Sequence, residues 1–523
     1  MTGPVVSGIS RTLGARSMVA RTILIALFVQ AALVAAGADA RLIKSIRSKD
    51  VDAVRALIKQ RVDVNAPQGD GATALHWAAH VDDLAIADLL IRAGAKASVA
   101  NENGFTPLHL ACTNRNAAMV ERLLSAGADA NAASLNGETV LMTCARSGGA
   151  QAVKALLVKG ARVNVKEQAH DQTALMWAAS QRHPDVTELL IEAGAEINAR
   201  SRTYAQTVVG EQTQRFGREE LNYSVLRGGS TPLLFTARSG DTASARLLLA
   251  AGANVNDALP DGTSALVLAA HSGHGETAAM LLEKGANPNS ADNGYTALHA
   301  AVLRGDVGLV ESLLAHKANP DLRTTKGTPL RRDTTDFNLP STLIGSTPYL
   351  LAARFLEPAI MKALARGKAD VSLTMKDGTT ALMLATGTSS GNNATRRGIA
   401  VIDGGTVEPE SAVLESAAAA IELGADVNAA NQAGDTALHT AATRGLNTVV
   451  QLLADKGAQL NAKNKRGLTP MAALMPGNTV ARRRGAAITA AAIADDDTPN
   501  EPVAREPAHP DTIALLKKLG ATE

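Results

Sequence analysis

Apolar and polar positions alternate along the chain in a repeating two-part unit. In GFTPLHLACTNRNAAMVERLLSAGADANA, which starts at Gly104, a short apolar run precedes a longer one. Thr106 suits a helix N-cap and Pro107 the first helical position, where a missing N–H costs little. Leu108 and Ala111 are then expected to face a neighbouring helix. Val120, Leu123 and Leu124 follow at helical spacing in MVERLLSAG. Gly127 is placed to stop that second helix in a left-handed conformation, and the Asp-Ala-Asn stretch after it is turn chemistry. The unit therefore predicts two short helices and a connecting turn. Such a pair is apolar on both flanks, so it folds only when stacked between copies of itself.

The copies are present. GATALHWAAHVDDLAIADLLIRAGAKAS starts at Gly71, GYTALHAAVLRGDVGLVESLLAHKANPD at Gly294 and GDTALHTAATRGLNTVVQLLADKGAQLN at Gly434. Thr73, Thr106 and Thr139 are 33 residues apart, as are Thr231 and Ser264, Thr347 and Thr380, and Thr436 and Thr469. Gly240 in RSGD and Gly305 in LRGD sit where a first helix must turn back. The motif T-P/A-L-H-x-A, the period and the G-A-D/N-x-N ending resemble ankyrin repeats, over nearly all of residues 41–523. The fold class expected is all-α: an ankyrin-repeat solenoid of about eleven to twelve helix-turn-helix units carrying hairpin-loop insertions. Segment 41–70 lacks the motif and carries extra charge, as an N-terminal capping repeat would. DTIALLKKLGA, from Asp511, reads as the second helix of a last repeat whose first helix starts at LTPMAAL.

Departures from the period mark insertions. The steps Thr173–Thr231, Thr296–Thr347 and Thr380–Thr436 are 58, 51 and 56 residues. The organisation that follows is repeats at 71–201, 229–326 and 345–466, with insertions at 202–228, 327–344 and near 387–413. A C-terminal repeat spans 467–523, with a further insertion near 476–509. The last two insertions are rich in Gly, Asn, Ala and Pro and are expected to be mobile. The first two carry Tyr204, Phe216, Tyr223 and Phe337 beside Arg202, Arg215, Arg218, Arg331 and Arg332. Aromatic residues with arginine are typical partner anchors. They serve equally to plug each loop onto the stack.

The N-terminus changes the picture of where the protein works. Arg11, Arg16 and Arg21 precede TILIALFVQAALVAA, which ends in GADA. This is the pattern of a secretory signal peptide occupying residues 1–40, cut after Ala38 or Ala40, with Met18 an alternative start. The run is near the lower limit for a membrane span and contains Gln30, so no span is expected after cleavage. A net charge of +2 gives no bulk attraction to nucleic acid. Aromatic residues make up 2% of the chain, fewer than an ordinary multi-domain enzyme buries.

Candidate chemistry is sparse. The resemblance assigns His109, His76, His299 and His439 to a structural hydrogen bond at the helix start, and other repeats hold Met142, Met176, Leu234 and Val267 there. Cys112 and Cys144 fall on first helices of adjacent repeats. An interhelical spacing of about 8–10 Å against the roughly 7 Å a bridge allows predicts two buried free thiols. HSGHGE, His271 to Glu276, lacks a third ligand for a metal, and no catalytic or cofactor fingerprint occurs. The expectation is a non-enzyme with no cofactor.

In ankyrin proteins, hairpin tips and first-helix ends line the face that meets partners. The resemblance places Phe105 and Tyr295 at hairpins, and Arg146, Arg238 and Arg354 at one helix-end position, with Arg304 and Arg444 one residue later. These are the candidate contacts of a protein partner bearing an acidic surface, or of an anionic envelope component. The whole chain looks like secreted bacterial ankyrin-repeat proteins: a monomeric scaffold, periplasmic or secreted. An effector acting on a host or competitor protein shares this fold.

Overall fold

The computed structural model describes residues 39–209, 222–326, 343–387, 409–475 and 509–522. The chain divides into two compact units, one running to Asn287 and one from Pro288. The first holds seven helix pairs: α1 Ala40–Arg47 with α2 Val51–Lys59, α3 Ala74–His80 with α4 Leu84–Arg92, α5 Pro107–Thr113 with α6 Ala117–Ser125, α7 Val140–Ser147 with α8 Ala150–Val158, α9 Ala174–Gln181 with α10 Pro184–Glu192, α11 Pro232–Ser239 with α12 Thr242–Ala250, and α13 Ala265–His271 with α14 Gly275–Glu283. The second holds α15 Ala297–Arg304 with α16 Val307–Ala315, α17 Pro348–Arg354 with α18 Pro358–Arg366, α19 Ala381–Thr386 with α20 Glu410–Glu422, and α21 Ala437–Thr443 with α22 Asn447–Asp455. Its last repeat pairs a 3-10 turn, Ala472–Leu474, with α23 Pro510–Lys518. The expected stack of helix-turn-helix units is present among the described residues.

Local chemistry accounts for these short helices. Thr106 is the N-cap of α5, Pro107 opens the helix, and Leu108 and Ala111 are fully buried. Gly127 takes φ +86° after α6, and Gly240 and Gly305 are left-handed caps of α11 and α15. Among the described residues the last repeat starts its first helix only as that 3-10 turn, and the proline at position 476 in the sequence gives a reason. A residue before proline is driven out of the α region, and Met475 accordingly leaves the turn at ψ 149°.

Two hydrogen-bond rows join successive repeats within each unit. Hairpin tips bond backbone to backbone, as in Glu102 N–H to the Asp70 carbonyl and Leu135 N–H to that of Asn103. Across the second-helix turns, Asn131 donates to the Gly160 carbonyl at 3.1 Å and accepts from Arg162 N–H at 2.8 Å. Asn65, Asn164 and Asn428 repeat that double contact. Polar backbone that a small helix pair leaves bare is thus satisfied by the next pair.

Two features differ from expectation. The first insertion contains an antiparallel strand pair, β1 Tyr204–Val209 with β2 Asn222–Arg227, paired from Tyr204 opposite Arg227 to Val209 opposite Asn222. Tyr, Thr and Val make up most of YAQTVV, and NYSVLR adds Tyr and Val, residue types that favour a pleated ribbon. Its base is held by Ser201 N–H to the Ser230 carbonyl at 3.0 Å and by Arg202, which pairs with Asp171 at 2.8 Å.

The second correction concerns Cys112 and Cys144, which are joined in a disulfide with Cα atoms 4.5 Å apart. The expectation of free thiols took the spacing of helix axes for the spacing of facing residues. Each Cα stands about 2.3 Å off its axis, so residues facing across axes about 9 Å apart approach to about 4.4 Å. Small neighbours, Ala111 and Ala145, are fully buried at the same contact.

Candidate functional site

The motif histidines are consumed by structure. His109 Nδ1 accepts from Thr106 N–H at 3.1 Å and meets its hydroxyl at 3.0 Å, while Nε2 reaches the Glu138 carbonyl of the next hairpin at 3.4 Å. His76, His299 and His439 do the same with the Phe105, Ser346 and Leu468 carbonyls. Burial pushes His76, His109 and His299 down to about 4, so they stay neutral near pH 7. A second set serves the opposite helix ends. His183 Nε2 meets the Arg146 carbonyl at 3.1 Å and His274 Nε2 that of Arg238 at 3.0 Å. Their rings lie against Gly148 and Gly240, where a Cβ would come within 2.5 Å and 2.4 Å of them. His274 of HSGHGE therefore belongs to the frame. Among the described residues no group of three His, Cys, Asp or Glu could hold a metal ion.

Arg47, Arg146, Arg238 and Arg354, each in the last turn of a first helix, lie over aromatic rings. In the first unit, Arg146 is 41% exposed, pairs with Glu138 at 2.9 Å and lies 4.6 Å over Trp177 of the next repeat. Exposed Arg238 lies 6.0 Å over Phe235 of its own helix. Arg47, which the sequence reading passed over, lies 5.2 Å over Trp77. In the second unit Arg354 lies 5.7 Å over Phe355, Arg304 ends α15 half-buried, and Arg444 donates to the Thr386 carbonyl at 2.9 Å. The arginines thus form one set in each unit.

The aromatic candidates separate. Phe105 is half-buried, with its ring edge-on to His109 at 5.3 Å. Tyr204 is 45% exposed at the root of the ribbon, edge-on to His170 at 6.4 Å. Tyr223 stands opposite Val208 in the strand register. Tyr295 corrects an expectation: at 6% exposure it is packed into the core rather than projected, the favourable fate for so large an apolar body. Phe216 and Phe337 lie outside the described residues.

Sequence reasoning missed the pair that is accessible. Four residues after the N-cap of their first helices, Trp77, Leu110 and Leu268 are buried, whereas Trp177 and Phe235 on adjacent first helices are half-exposed. The available signal was a bulky aromatic residue in a row that mostly holds aliphatic or small ones, three residues before or one repeat after an arginine. Trp177 carries a further peculiarity. The Trp77 indole N–H donates to Gln68 at 2.6 Å, but that of Trp177 is buried without a partner among the described residues. Glu167, at the corresponding start of its hairpin, spends both oxygens on the backbone N–H groups of Ala169, His170 and Gln172.

Comparison with known proteins matches residues 42–134, 116–201 and 233–325 to the family described as Ankyrin repeats (3 copies). Residues 421–472 match the one described as Ankyrin repeats (many copies), and together these spans exceed half of the chain. A curated relative, Ankyrin repeat and SOCS box protein 16 of Homo sapiens, is 31% identical over 194 residues. That match takes in 34% of this chain and 40% of the relative, so the chain spans less than half the relative's length.

Proposed function

The chain belongs to the ankyrin-repeat family, and on that premise we propose that it is a non-catalytic, exported scaffold that holds another protein. The contact surface is the one formed by hairpin tips, first-helix ends and the described strands of the first insertion, Tyr204–Val209 and Asn222–Arg227. One observation carries this reading: surface arginines are stacked on accessible aromatic rings, Arg146 on Trp177 and Arg238 on Phe235. Arginine and large aromatic residues supply most hot-spot energy at protein interfaces, and a guanidinium fixed on a ring loses little freedom when it docks. The partner presents acidic groups to these arginines, and the scaffold works as a monomer, in the periplasm or secreted.

Export is supported by the basic, apolar and small-residue order of the first 40 positions, and by a disulfide, a bond that persists in oxidising compartments and is rare in reducing ones. Crosslinking in the native compartment, followed by identification of the captured protein, tests the reading. The Arg238→Glu, Arg354→Glu variant should lose most of that capture and its salt dependence. Capture unchanged in yield and salt response would remove the arginines from the interface.

A further inference from the structure

Three kinds of side-chain bridge tie successive repeats of the first unit together. Motif histidines reach the next hairpin, as His76 and His109 do. Histidines that cap second helices reach back to a first-helix carbonyl, His183 to Arg146 and His274 to Arg238. Asparagines after second helices bond the following turn, as Asn131 and Asn164 do. At the junction of α9–α10 with α11–α12, all three are missing among the described residues. Met176 stands at the motif-histidine position, and Asp241 caps α12 where His183 and His274 cap their helices. Asn198, next in the asparagine row, is exposed and makes neither bond.

The core is polar at the same junction. In α4, α6 and α8 the third and fourth residues are apolar and buried: Ile86 and Ala87, Met119 and Val120, Ala152 and Val153. Thr187 in α10 and Ser244 in α12 take such places, also buried, with Ser244 Oγ donating to Thr187 Oγ1 at 3.1 Å. A hydroxyl pair thus replaces an aliphatic contact, and its hydrogen bond exchanges for bonds to water at little net gain. Asp241 adds a cost. It is 5% exposed, and Oδ1 accepts from Ser244 N–H at 3.1 Å, while Oδ2 is buried without a partner among the described residues. Such an acceptor regains its hydrogen bonds when the repeats part and water enters. What holds the junction is the packing of α9 on α11, Ser239 Oγ on the Ala179 carbonyl at 3.0 Å, and the Arg202 contacts to His170 and Asp171.

We propose that this junction is the parting line of the first unit. The α11–α12 repeat separates there from α9–α10, while the repeats before it stay packed, with Cys112–Cys144 holding α5 to α7. Trp177 and Phe235 stand on the two sides of the line, under Arg146 and Arg238. Opening therefore changes the spacing of the two aromatic docking points. That consequence rests on the binding reading above; the parting does not.

A helix pair unstacked on one flank loses the support it needs to stay folded, so amide exchange of the full chain, resolved by segment, reads the opening. Amides of α11 and α12 are expected to exchange on the order of tenfold faster than those of α6 and α8. Asp241→Asn keeps a good cap and supplies a donor in place of the unpartnered oxygen. It should slow α11 and α12 about fivefold, the worth of one hydrogen bond, and leave α6 unchanged. Thr187→Val with Ser244→Ala restores the side chains that α8 uses and should act in the same direction without touching Asp241. Wild-type exchange in α11 and α12 as slow as in α6 and α8 would overturn the proposal. So would unchanged exchange in either variant, or a slowing spread evenly over all segments.

Discussion

Replacing Cys112 and Cys144 together by alanine tests the inter-repeat bond. The two positions align with Ala145 and Ala111, so alanine is the residue the neighbouring repeat already uses there. Little packing is lost beyond the two sulfurs. The bond spans 32 residues of sequence. A loop of that length restricts the unfolded chain by about 3.7 kcal/mol in the chain-entropy account, and roughly a further 1 kcal/mol follows from the buried volume removed. The chain carries its own reporters. Trp77 lies one repeat before the bonded pair of helices and Trp177 one repeat after. Urea unfolding followed by tryptophan emission should therefore show the double variant losing its first unit at clearly lower denaturant. The wild type treated with reductant in urea should follow the variant. The reasoning fails if the two midpoints coincide, or if two free thiols titrate in the unreduced, denatured protein.

Three further outcomes follow from the same structure. Tyr349 buries its hydroxyl without a partner among the described residues, and burial pushes its pKa up to about 12. Tyr349→Phe should thus be neutral or stabilising by about 1 kcal/mol in thermal unfolding, and a loss above that would reveal a hidden partner. Arg182 caps α9 in the left-handed region at φ 63°, so Arg182→Gly should raise stability by up to about 1 kcal/mol, read as a higher melting temperature. His76, His109 and His299 are held at about 4 in the fold against about 6.5 in the unfolded chain. Their contribution is complete above pH 6.5 and is lost as pH falls from there towards 4, by about 1 kcal/mol per pH unit for each. Imidazole resonances of these three histidines that titrate near 6.5 in the folded protein would contradict this.

The period was legible because the same physical requirement recurs in every repeat. A capped start, a small residue where helices touch and a left-handed stop leave a mark every 33 residues, and their positions in the structure coincide with that mark. Pairwise geometry was less legible. Cys112 and Cys144 needed the distance between facing backbones, which sequence spacing does not contain. The ribbon at Tyr204–Val209 and Asn222–Arg227 was hidden because an insertion has no register to compare with other copies. Phe105 and Tyr295 occupy the same motif position, yet one is half-exposed and the other buried. Trp177 and Phe235 were overlooked for the opposite reason: their positions in the repeat are ordinarily core, and only the surroundings of these two first helices leave them accessible.

The claim that this chain holds a partner on its first-helix side is tested most directly by position-specific photocrosslinking in the native compartment. A photoreactive phenylalanine analogue is placed at Phe235, half-exposed beside Arg238, or at Val158, which is 78% exposed at the end of a second helix. The account expects one discrete adduct from position 235, weakened by added salt and by Arg238→Glu, and none from position 158. An adduct from position 158 alone, or equal adducts from both, would contradict it.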